Sequence, residues 1–153
     1  MIERAAAGEF SSWEDSAANA LALVIVLDQF PRNIYRGSAL AYANDPLARQ
    51  VAGRAIDRGF HLALPRGERV FFYLPFEHSE ELMDQARSLT LFREWVEDCP
   101  PEKRAEADHH FTYILRHEEI IRRFGRFPHR NAALGRVTTP EEAEFLKEPH
   151  SSF

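Results

Sequence analysis

The chain has 153 residues, 44% of them hydrophobic and 28% charged, with a net charge of −5. That length suits one domain with its own core, and that composition excludes a disordered chain. A longest apolar run of eight residues (Ala20 to Leu27) excludes a membrane-spanning helix, a single cysteine (Cys99) excludes a disulfide framework, and the acidic balance argues against a nucleic-acid coat protein.

Nine prolines punctuate the chain, nearly all between periodic segments, as expected for a series of helices. No Asn-Gly or Asp-Gly pair and no sustained alternation signals a hairpin. The first helix is expected over 17–30, capped by Ser16, and its stretch from Leu21 to Leu27 is apolar on every face, which places it in the middle of the core. Asn44-Asp45-Pro46 opens a second, with Asp45 as N-cap and Pro46 in the first turn. Leu47, Ala48, Val51, Ala52, Ala55 and Ile56 form its stripe, and Gly59 ends it. The aromatic segment over 68–74 is read as a short helix. Ser79 is expected to cap a helix running to about Glu97, with Leu82, Ala86, Leu89, Phe92 and Val96 on its buried side. Pro100-Pro101 starts the longest helix, which runs to Phe124 with Gly125 as its stop. Its acids lie early and its arginines late, complementing the helix dipole. Thr139-Pro140-Glu141-Glu142 is a capping box for a last short helix through Phe145, and the tail over 149–153 is expected to fray. The reading is all-α: a single domain of about six helices over 1–153.

Two helices are expected to end in related segments, Asp28-Gln29-Phe30-Pro31-Arg32-Asn33 and Gly125-Arg126-Phe127-Pro128-His129-Arg130-Asn131. Phe, Pro and Asn there serve as a helix stop, with phenylalanine in the core. Asp28 is different, because an acid in the last turn of an apolar helix is opposed by the dipole and by desolvation. It therefore needs a partner, and Arg32 or Arg130 would supply one. The result is either an ion pair clamping two loops or a site. His110, Ile114, His117, Ile121 and Phe124 share one stripe of the long helix, while His78 precedes another helix and His129 lies in the second Phe-Pro segment. These histidines with Glu77 and Glu81 raise a metal site, but Ile121 stands where a His-Glu-x-x-His motif needs its second ligand, so no metal or other cofactor is expected. Five arginines between Ile120 and Val137, with no acid among them, suit a small anion better than nucleic acid.

Leu27-Asp28-Gln29-Phe30-Pro31-Arg32-Asn33, Leu74-Pro75-Phe76-Glu77-His78-Ser79-Glu80 and Phe124-Gly125-Arg126-Phe127-Pro128-His129-Arg130-Asn131, in that order, resemble domain of unknown function family 924. Leu134-Gly135-Arg136 and Thr139-Pro140-Glu141-Glu142 match it too, so the likeness spans nearly the whole chain. It implies a bacterial helical protein related to tetratricopeptide-repeat arrays and implies no activity; the sequence itself shows no clean repeat of about 34 residues. The resemblance also implies that this chain starts after an aromatic N-terminal helix usual in the family, which favours self-association.

The expected function is a cytoplasmic binding module for a small anionic ligand or an acidic peptide end. Its site comprises Asp28, Gln29, Arg32, Asn33, His78, Arg126, His129, Arg130 and Asn131. The alternatives are a hydrolase using His78 or His117 with Arg130, and a purely structural partner-binding protein.

Overall fold

The apolar run of the first long helix is the axis of the molecule. In the computed structural model, which describes residues 1–152, Ala20, Leu21, Leu23, Val24, Val26 and Leu27 are all buried. Among the described residues there are seven α-helices and no strand. They are α1 (Ile2–Ala6), α2 (Ala17–Ile34), α3 (Asp45–Asp57), α4 (Arg66–Glu77), α5 (Leu82–Glu97), α6 (Arg104–Phe124) and α7 (Pro140–Phe145). From α2 to α6 each helix packs on the next, and α4 also touches α2 and α6. Phe72, Phe76, Phe92 and Ile114 close the main core around α2 and α3. A smaller cluster of Ile120, Ile121, Phe127 and Phe145 seats α7 on the end of α6. Each fully buried Leu, Val or Phe contributes about 1.5–3 kcal/mol, so the two clusters account for this stacking. None of the helices is long and apolar enough to cross a membrane.

Two expected stops do not occur. α2 continues through Pro31 to Ile34 and α4 continues through Pro75 to Glu77, so the first Phe-Pro segment is helix and not loop. A proline inside a helix costs about 3 kcal/mol, but both rings are buried, and packing offsets the loss. Around Pro31, Arg32 Nη1 donates to the Asp28 carbonyl and Asn33 Nδ2 to the Gln29 carbonyl, both at 2.9 Å. Phe30 faces out at 41% exposure, whereas Phe127, its counterpart in the second segment, is fully buried.

Asp45 is the first helical residue of α3 and not its cap, because its carboxylate is drawn to arginines outside the helix. Ser79 stands a turn ahead of α5, where its Oγ donates to Asp84 and accepts from the Glu81 amide. α5 is rotated from the expected phase: Gln85, Ser88, Leu91, Phe92 and Val96 are buried, and Leu82 is 53% exposed. A short 3-10 turn, Pro101–Lys103, precedes α6, and Gly125 ends it with φ 68°. α7 carries the expected capping box, with Thr139 and Glu142 bonded reciprocally. Within the tail, Ser151 is buried and its Oγ donates to the Leu146 carbonyl.

Candidate functional site

Five pieces of the chain meet at one end of the stack: the last turns of α2, the segment between α2 and α3, the end of α4, the middle of α6 and the turn after α6. They enclose a cavity of about 360 Å³ lined by Gln29, Arg32, Asn33, Arg36, Tyr42, His78, His117, His129 and Arg130, among others. His78 is the C-cap of α4, and Gln85 fixes that end. The buried Gln85 Nε2 donates to the Glu77 and Ser79 carbonyls, each at 2.7 Å. Glu80 holds the turn after α6 by accepting from the Phe127 amide at 2.8 Å and from both Nη atoms of Arg136. Those Arg136 bonds bring the 3-10 turn Pro128–Arg130 over the cavity.

Asp28 is 1% exposed behind the cavity wall. Its Oδ1 meets Arg32 Nη1 at 3.0 Å and His78 Nδ1 at 2.9 Å. Burial would raise its pKa, but the attraction of His78 and Arg32 outweighs that and holds the carboxyl at about 2. Arg32 also grips Asp45 with both Nη atoms at 2.8 Å. Among the described residues Arg130 has only a distant carboxylate, Asp45 Oδ2 at 3.7 Å, and its guanidinium lies over the rings of Tyr42 and Phe127 at 4.6 and 4.4 Å. Burial, and then the neighbouring Arg32 charge, pull Arg130 down to about 10.

Beside this lies a pair of a carboxylic acid and an imidazole, Glu77 and His117. His117 Nδ1 is 3.1 Å from Glu77 Oε1 and 2.8 Å from the Tyr113 carbonyl. Burial pushes Glu77 up to about 8, with the Asp28 charge adding to it, and pulls His117 down to about 3. His129 falls to about 4, chiefly through burial and then through Arg130, and burial also lowers His78. The cavity therefore presents neutral imidazoles at neutral pH. No group of three or more His, Cys, Asp or Glu among the described residues is arranged to hold a metal ion.

Of the expected site residues, Gln29, Arg32, Asn33, His78, His129 and Arg130 line the cavity, with Asp28 directly behind His78. His117 lines it as well, whereas His110 packs against Phe92 and Trp95. Arg126 and Asn131 are elsewhere: Arg126 grips Glu142 with Nε and Nη2, and Asn131 Nδ2 donates to the same carboxylate at 3.2 Å. They fasten the turn after α6 to α7. The arginine run is neutralised in the same way, with Arg122, Arg123, Arg126 and Arg136 each paired to a glutamate. Sequence reasoning missed Asp45 and Gln85 because each fits a local role, as a helix cap and as a helix-surface residue. Tyr42 carries no motif at all.

Fold and site together define an all-helical protein with an arginine- and histidine-lined cavity that is partly open to solvent. Over residues 1–150 the chain matches the family described as "Bacterial protein of unknown function (DUF924)", and it belongs to that family. A solved structure of a protein of unknown function from Agrobacterium tumefaciens is similar to it at 44% identity, with a TM-score of 0.81. The match covers 95% of this chain and 77% of that one. No curated protein matches the chain.

Proposed function

We propose that the protein binds a small carboxylate-bearing ligand in this cavity, with Arg130 as its anchor. The observation that carries the reading is the state of Arg130. It is 6% exposed, and among the described residues its Nε has no hydrogen-bond partner and its nearest carboxylate is 3.7 Å away. A buried cation so poorly compensated is costly, and an anion entering beside it recovers that cost. The charges nearby agree. Asp28 and Asp45 are both engaged by Arg32, Glu77 is held neutral by burial, and the exposed Arg36 adds a positive charge to the cavity lining, which favours an anion.

Acetate and inorganic phosphate are the probes, read by thermal denaturation. At a hundredfold excess over Kd a ligand stabilises by about 2.7 kcal/mol, which raises Tm by roughly 5–10 °C in a chain of this size. Acetate should produce that rise and Arg130→Gln should abolish it with the fold intact; a rise that survives in Arg130→Gln overturns the reading. A second reading, a purely structural clamp, is favoured by the bidentate Arg32–Asp45 pair and by Arg130 lying over Tyr42 and Phe127. It requires instead that Arg130→Gln unfold the protein at ordinary temperature, as breaking a buried ion pair would at about 3–5 kcal/mol.

A further inference from the structure

We propose that the cavity hydrolyses small carboxylic esters, with His78 Nε2 as the general base and Arg130 stabilising the oxyanion. This rests on the carboxylate reading above and deepens it: the bound carboxylate is the acid product.

The orientation of His78 leads to this. Asp28 is buried and ionised and lies 2.9 Å from His78 Nδ1, so Nδ1 carries the proton and donates it. The lone pair is then on Nε2, across the ring, on a side chain that forms the cavity wall. No residue among those described hydrogen-bonds to Nε2. Burial keeps the imidazole neutral at neutral pH, as a base must be, and Asp28 stabilises the imidazolium once it forms. The Arg130 guanidinium lines the same cavity and, among the described residues, meets a carboxylate only through Nη1 at 3.7 Å, so it supplies a preorganised donor where negative charge develops. Aromatic rings flank that donor and limit its movement.

The steps balance without a further reactant. Water attacks the ester carbonyl as Nε2 takes its proton, a C–O bond forms, and the carbonyl electron pair moves onto an oxygen facing Arg130. Collapse of that intermediate breaks the bond to the leaving oxygen, which receives the proton from Nε2. The products are a carboxylic acid, ionising to the carboxylate beside Arg130, and an alcohol. Asp28 acts through His78 and is a positioning residue.

The probe is 4-nitrophenyl acetate with the intact chain, followed over a pH series. The groups facing His78 are Asp28 and Arg32 from α2, Arg130 from the turn after α6, and His117 from α6. The expected results are hydrolysis above the buffer rate, competitive inhibition by acetate, and a loss of roughly 100-fold or more in His78→Gln. The acetate-induced rise in Tm persists in that variant. In Asp28→Asn the rate falls and the acidic limb moves to lower pH, because the imidazolium has lost its partner; a limb that stays in place removes Asp28 from the scheme. Equal rates for His78→Gln and the parent overturn the hydrolysis proposal. If acetate still raises Tm in that case, the ligand reading stands alone; if acetate changes neither Tm nor rate, both readings fall.

Discussion

Two buried acids, Glu77 at the end of α4 and Asp28 on α2, meet opposite protonation problems. Glu77 is 5% exposed, and burial moves its pKa from 4.5 up to about 8. The folded chain therefore keeps a proton that the unfolded chain releases, so stability falls as pH rises from about 4.5 to about 8, by a few kcal/mol in all. Glu77→Gln removes that penalty while keeping the shape. It should raise Tm by several degrees near pH 8 and change it little near pH 5; equal effects at both would show that Glu77 is ionised in the fold. Asp28 behaves oppositely. Its pKa drops from 3.8 to about 2, so its contribution is present above about pH 4 and is lost only as pH falls toward 2.

Helices here are placed by polar contacts as much as by apolar stripes. On α5 the stripe read from Leu82, Ala86, Leu89, Phe92 and Val96 holds at Phe92 and Val96 and fails in the first turns, where Gln85 and Ser88 are buried instead of Leu82 and Ala86. Hydrophobic periodicity cannot see a glutamine whose amide satisfies the carbonyl end of a neighbouring helix. Gln85→Ala should cost about 2–4 kcal/mol by leaving those carbonyls unpaired, lowering Tm by roughly 5–15 °C. Glu80, just ahead of α5, holds the turn after α6 through Phe127 and Arg136. Glu80→Ala should raise amide exchange over residues 125–136 and leave α2 and α3 protected; uniform loss of protection would mean that this turn unfolds only with the rest. The capping box of α7, by contrast, was legible in full, because its partners lie three residues apart.

The molecule as a whole carries many neutral buried imidazoles. His61, His78, His110, His117 and His129 all fall below 6.5, with burial the largest cause in each. Below that pH the unfolded chain binds more protons than the folded one, so stability is lost as pH falls, beginning near 6.5. Glu77 imposes the opposite slope above it. A stability maximum between about pH 6 and 7 follows. Thermal denaturation across a pH series checks this, and a Tm that goes on rising toward pH 5 would mean that the histidines are charged in the fold.

The helical class, the central position of α2, the capping box and the chemical types at the site were all written in local order. Caps, stripes and glycine stops act within a turn or two, and the chain alone displays them. The cavity was decided by packing. Asp28 and His78 are 50 residues apart and Arg32 and Asp45 are 13 apart. Burial also overruled two prolines as helix stops and sent Arg126 and Asn131 to Glu142 instead of the cavity. Which charges share a low-dielectric space depends on how helices stack, and that stacking is the sum of many weak contacts that no short stretch of sequence contains.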